Sequence, residues 1–136
     1  YEAATAERVH RYVADALALA SHPLAASLDA LTARGGQAVV VSSVYAEKAP
    51  PNFPHYVAAK CAVEGLVRAA AHHHTGVGFV LVRPPRLEGE LNIPFAGENP
   101  LPAARVAGTL ARRLADARPS GEVRWSDAFD LPEVAA

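Results

Sequence analysis

Tyr56-Val-Ala-Ala-Lys-Cys-Ala-Val-Glu-Gly-Leu-Val-Arg-Ala-Ala-Ala71 is the stretch that decides the fold. Its alanine-rich, largely unbranched composition favours a helix. On that helix Tyr56 and Lys60, four residues apart, lie one above the other on a single face. An ammonium group held beside a phenol favours the ionised phenol and lowers its pKa from about 10. Tyr56 is therefore a candidate to give or take a proton near neutrality. A Tyr-x-x-x-Lys pair alone is also an ordinary surface arrangement, worth a few tenths of a kcal/mol. The flanking sequence has to decide between the two.

Upstream, Gln37-Ala-Val-Val-Val-Ser42 is a continuous apolar run without alternation, the pattern of a parallel strand buried on both faces. Ser43 closes it, where an open α/β sheet commonly presents an active-site group. Residues 44–55 are rich in proline and aromatic side chains and read as a loop. Tyr45, Phe53 and His55 there either line a pocket or cover the core, and Pro54 suits a helix start. Downstream, Val77-Gly-Phe-Val-Leu-Val-Arg83 reads as a second strand, running into Pro84-Pro85 and then a loop over residues 88–100. Residues 102–116 form an amphipathic helix with Val106, Leu110 and Leu114 on one stripe. A last short strand over 121–125 and an irregular tail follow.

Ahead of Ser43 the chain is helical over residues 4–20, with Val9, Val13, Ala16, Leu17 and Ala20 on one stripe. A second helical piece carries Leu24, Leu28 and Leu31 to a stop at Gly35-Gly36. The two read either as separate helices or as one kinked at Pro23. Helices alternating with strands imply a parallel sheet with right-handed crossovers and helices on both faces, a doubly wound α/β arrangement.

Composition sets outer limits. At 136 residues, 51% hydrophobic, the chain is one domain at most. A formal charge of -1 gives no reason to expect nucleic acid or an anionic membrane as partner. No apolar run approaches the roughly 20 residues of a membrane span, and no secretory signal is visible. The single Cys61 cannot form an internal disulfide, which suits a reducing cytoplasm; its expected role is to pack as a small residue. His72, His73 and His74 point in three directions around a helix and do not converge on a metal. A chain that lacks methionine and begins at Tyr1 is expected to be a piece of something longer or a processed product.

The strand ending in Ser42-Ser43, the Tyr56-Val-Ala-Ala-Lys60 pair, the Lys60-Cys-Ala-Val-Glu-Gly-Leu66 helix and the strand after it together resemble the short-chain dehydrogenase/reductase family. The likeness continues to Ser120-Gly-Glu-Val-Arg124 and covers most of the chain. In that family the serine precedes the tyrosine by thirteen positions, which selects Ser43 over Ser42. The resemblance implies a Rossmann-type sheet and a catalytic set of Ser43, Tyr56 and Lys60. It also implies NADP or NAD as cofactor, with a hydride passing between nicotinamide and a carbonyl or secondary alcohol. Tyr56 and Lys60 would also bind the cofactor, Lys60 through the nicotinamide ribose. The family usually has Pro-Gly and a threonine beside the nicotinamide, where this chain has Pro84, Pro85 and Leu87. An asparagine of the family's proton relay counts back to Asp15.

A glycine-rich loop, which lets a backbone approach the pyrophosphate, is missing from these residues. The resemblance therefore makes residues 1–136 a single domain like the carboxyl-terminal half of the family's domain, with the amino-terminal cofactor-binding half absent. The first strand would then have an open edge that something must cover. Expected partners are that missing half, a small-molecule or carrier-bound carbonyl substrate, and further copies of the chain, since relatives associate through the two helices around Ser43. Two alternatives remain: a non-catalytic, truncated module of a larger biosynthetic enzyme, and an epimerase or dehydratase using the same tyrosine and lysine.

Overall fold

The computed structural model describes residues 5–50, 53–88, 100–114 and 123–126. Along the chain run α1 (Ala6–Arg34), β1 (Gln37–Val41), α2 (Tyr45–Lys48), α3 (Pro54–His73), β2 (Gly78–Val82), α4 (Ala103–Leu114) and β3 (Val123–Ser126). The strands form a parallel sheet in the order β1-β2-β3, with Val39 opposite Val80 and Val80 opposite Arg124.

The amino-terminal region is one helix, not two. The Thr5 hydroxyl caps it by accepting from the Arg8 amide at 3.3 Å. Pro23 sits inside and withholds one helical hydrogen bond, a cost of about 3 kcal/mol. Leu24 is buried in the core and Leu28 and Leu31 pack partly buried against it; full burial of a leucine is worth about 1.5–3 kcal/mol, so the three together offset the proline. The helix ends at Gly35, whose φ of 60° lets its amide reach the Leu31 and Thr32 carbonyls. That left-handed cap is open to glycine without strain.

Leu24 from α1, Val67 and Ala71 from α3, Ala38 from β1, and Phe79 and Leu81 from β2 make one apolar core, joined by Val77. Alternation puts Phe79 and Leu81 on the face toward α1 and α3, and Val80 and Val82 on the opposite face. All five residues of β2 are buried. The expectation for β1 is corrected here. Val39 is 38% exposed and Val41 53%: their register with Val80 and Val82 puts them on the face away from α1 and α3, and β1 is an edge strand among the described residues.

Other boundaries shift slightly. The stretch after Ser43 contains the one-turn helix α2, which ends at Ala49 with a positive φ of 44°. Helix α3 begins at Pro54, in the first turn where its missing N–H is no loss, and runs to His73. The last strand extends to Ser126, one residue into the expected tail; residues 127–136 lie outside the described residues. Most of the expected loop over 88–100 lies outside them too. Its two ends meet in a parallel bridge between Leu87 and Leu101, with the Glu88 amide donating to the Leu101 carbonyl and the Leu101 amide to Arg86. No helix among the described residues is long and apolar enough to cross a membrane.

Candidate active site

Ser43 is buried immediately beyond β1. Its Oγ accepts from the Tyr45 amide at 3.2 Å, and its carbonyl accepts from the Ala46 amide, so the serine itself starts the α2 turn. With its oxygen accepting from that amide, the hydroxyl keeps its own proton to donate.

Tyr56 and Lys60 sit one turn apart on α3, as their spacing predicts. The Lys60 Nζ lies 5.6 Å from the centroid of the Tyr56 ring, within cation–π range. It also donates to the Val41 carbonyl at 3.1 Å, two residues before Ser43. One ammonium thus joins α3 to the end of the serine strand. Burial pushes the Lys60 pKa down, and the nearby Glu64 carboxylate opposes part of that shift.

Aromatic side chains surround the pair. Tyr45 meets the Tyr56 ring edge-on at 6.4 Å and stacks with Phe53 at 6.4 Å. Of these two loop aromatics Tyr45 touches Tyr56, Phe53 packs on Tyr45, and neither is among the walls of the groove described next. His55 instead packs edge-on against Tyr12 of α1 at 4.9 Å, and its buried Nδ1 has no hydrogen-bond partner among the described residues. Burial, and then Tyr56, push the Tyr12 pKa up.

A groove of about 650 Å³ runs along the open edge of β1 and is flanked by α1 and α3. Tyr12, Ala16, Val39, Val41, Tyr56 and Lys60 are among its walls. Asp15 does not reach it: the residue is exposed, while its neighbour Ala16 faces the groove. One residue is about 100° around a helix, so a one-residue slip in counting moves a side chain off the face.

Pro84 is buried and its carbonyl accepts from the Val44 amide at 3.3 Å; Pro85 and Leu87 are half-buried. The pairing begun by β1 and β2 therefore continues past both strands, through Ser42 to Val82 and Val44 to Pro84. Prolines bring no N–H to this wall. Cys61 is exposed rather than packed, its thiol 3.5 Å from the Ala46 carbonyl. No group of three or more potential metal ligands occurs among the described residues, the histidine run included.

Three residues escaped the sequence reading. Ser42, next to the chosen serine, donates from its buried Oγ to Glu64 Oε1 at 2.6 Å. Arg83 grips both Glu64 oxygens at 2.8 Å, through Nε and one terminal nitrogen, and reaches Glu47 Oε2 at 3.1 Å. The available signal was a glutamate one turn beyond Lys60, inside an apolar stripe, matched by an arginine closing an apolar strand.

A family model described as short chain dehydrogenase matches residues 3–95. No curated protein matches the chain at a significant level. Among solved structures, an alcohol dehydrogenase from the archaeon Thermococcus sibiricus, complexed with 5-hydroxy-NADP, is 24% identical with a TM-score of 0.70. That match covers 96% of this chain and 58% of the other. Acetoin dehydrogenase from Enterobacter cloacae is 18% identical with a TM-score of 0.69, over 100% of this chain and 61% of the other. A SCOR enzyme from Clostridium thermocellum, in its apo form, is 16% identical with a TM-score of 0.70, over 90% and 53%. At such identities the likeness establishes the Rossmann-type fold, and the chain spans less than two thirds of each of these structures.

Proposed function

The chain belongs to the short-chain dehydrogenase family, and from that premise we propose that it carries the catalytic half of an NAD(P)-dependent oxidoreductase acting on a carbonyl or secondary alcohol. The observation that carries this reading is the Lys60 ammonium, held between the Tyr56 ring and the Val41 carbonyl at the serine strand. That contact ties Tyr56 and Lys60 on α3 to Val41, two residues before Ser43 in sequence.

The nicotinamide cofactor, when bound, supplies or accepts the hydride. The protein's part is to bind, orient and move the proton. In reduction the Tyr56 hydroxyl gives its proton to the substrate oxygen, and in oxidation it takes that proton back. Ser43 donates its hydroxyl hydrogen to the same oxygen and fixes the carbonyl against Tyr56. Lys60 holds positive charge beside the phenol. Among the described residues its one hydrogen-bond acceptor is Val41, which leaves N–H donors for the ribose hydroxyls of a nicotinamide nucleotide. Pro84, Pro85 and Leu87 would give the nicotinamide an apolar wall. The alcohol dehydrogenase relative complexed with an NADP derivative supports the choice of cofactor class.

We further propose that the open edge of β1 and its groove receive the glycine-loop half of the domain, which brings the pyrophosphate site. Exposed Val39 and Val41 on that edge support this. The test is turnover by the full-length protein. Absorbance at 340 nm is followed with NADPH and with NADH against a panel of small ketones, aldehydes and carrier-linked carbonyl compounds. Oxidation of either nucleotide that depends on a carbonyl supports the reading. Absence of turnover and of nucleotide binding across the panel would favour a non-catalytic module.

A further inference from the structure

We propose that Glu64 and Arg83 are positioning residues, which lock the strand end bearing Ser43 to the helix bearing Tyr56 and Lys60. The inference rests on the catalytic reading above and deepens it.

The side chains are 5% exposed for Glu64 and 15% for Arg83. The arginine takes both carboxylate oxygens in two parallel hydrogen bonds, a geometry that fixes direction as well as distance. The Ser42 hydroxyl adds a third bond to the same carboxylate. Burial alone would raise the Glu64 carboxyl; the Arg83 and Ser42 hydrogen bonds and the charges of Arg83 and Arg68 outweigh it and hold the group ionised.

Each member of this cluster neighbours a proposed site residue. Ser42 precedes Ser43, and Glu64 stands one turn beyond Lys60. Arg83 precedes Pro84 and holds Glu47 of α2. The same α2 turn presents the Tyr45 amide to Ser43 and the Tyr45 ring to Tyr56. Four pieces of chain are therefore pinned through one carboxylate and one guanidinium. A buried ion pair is a weak source of stability, since a well-packed apolar pair often does as well. A rigid polar clamp between two elements that must present reacting groups together has a better physical rationale, because misplacement by about 1 Å can cost about a hundredfold in rate.

The experiment compares full-length wild type with Glu64→Gln, Arg83→Lys and the double variant Glu64→Met/Arg83→Met, which replaces the pair with apolar volume. NADPH or NADH serves as nucleotide, with the best carbonyl compound from the panel. In variants that melt cooperatively, kcat is expected to fall at least tenfold while KM stays within about threefold. The double variant should recover thermal stability without recovering kcat. A folded variant of any of the three with wild-type kcat would overturn the proposal, as would recovery of both properties in the double variant. If wild type shows no turnover, the catalytic reading fails, and the clamp is read from amide exchange. Glu64→Gln should then speed exchange at least tenfold at Ser42, Val44 and Ala46 and leave α1 unchanged; unaltered exchange at those amides would overturn it.

Discussion

The two flanks of the serine strand differ sharply. Along its open edge Val39 and Val41 are exposed beside a groove that also reaches Tyr12, Tyr56 and Lys60. Toward β2 the same strand leads to Ser42, Glu64 and Arg83, where two buried polar side chains and a half-buried arginine bond one another. The two adjacent serines, both buried, differ in their partners. Ser42 spends its hydrogen on a buried carboxylate, whereas Ser43 accepts from an amide and keeps its hydrogen. On the proposed reading, the open flank would receive cofactor and the missing half of the domain, and the closed flank would hold the geometry of the site.

That comparison can be broken by substitution. On the open flank, Tyr56→Phe should lower kcat by about 10²–10⁴ while changing stability by less than about 0.5 kcal/mol, because the ring stays beneath the Lys60 ammonium. Steady-state rates and urea midpoints of the same preparation check both halves of the statement. On the closed flank, Glu64→Ala should cost about 2–4 kcal/mol, since it leaves the half-buried Arg83 guanidinium and the buried Ser42 hydroxyl without the carboxylate. A loss below about 1 kcal/mol in a urea titration would mean that water or Glu47 replaces the carboxylate cheaply.

The pH dependence sharpens the contrast further. The folded-state pKa of Glu64 lies below its ordinary value, so its contribution is present above the unfolded value of about 4.3 and is lost as pH falls through the folded one. Between pH 6 and pH 3, wild type should therefore lose more stability than Glu64→Gln, which has no carboxyl to protonate. Equal losses would show that other acids carry the effect. The smallest expected change lies between the flanks. Ala49 ends α2 at φ 44°, a conformation that costs an L-residue about 1–2 kcal/mol and glycine little. After the extra freedom glycine adds to the unfolded chain, Ala49→Gly should stabilise by about 0.5–1 kcal/mol, visible as a small rise in Tm.

How much of this was legible beforehand follows the same division. The order of elements, the parallel sheet and the Tyr56–Lys60 pairing could be read from periodicity and spacing, because local rules govern them. Burial of β1 could not. Gln37-Ala-Val-Val-Val41 and Gly78-Phe-Val-Leu-Val82 are equally apolar, yet only position in the sheet decides that one is buried throughout and the other half open. Pro23 marked a break by propensity, and leucine packing from α1 onto the core overrode it. Asp15 came from counting along a helix, and the structure leaves it exposed while Ala16 lines the groove. The Ser42–Glu64–Arg83 cluster joins residues 19 to 22 positions apart or more, so no local pattern announced it.

The most direct test of the central claim is deuterium transfer in the full-length protein, using NADPH or NADH labelled with deuterium at nicotinamide C4 and the best carbonyl compound of the panel. Mass spectrometry of the alcohol formed should find the label on the former carbonyl carbon with wild type and almost none with Tyr56→Phe in the same time. An unlabelled alcohol from wild type, or equal labelling by the folded phenylalanine variant, would contradict the account.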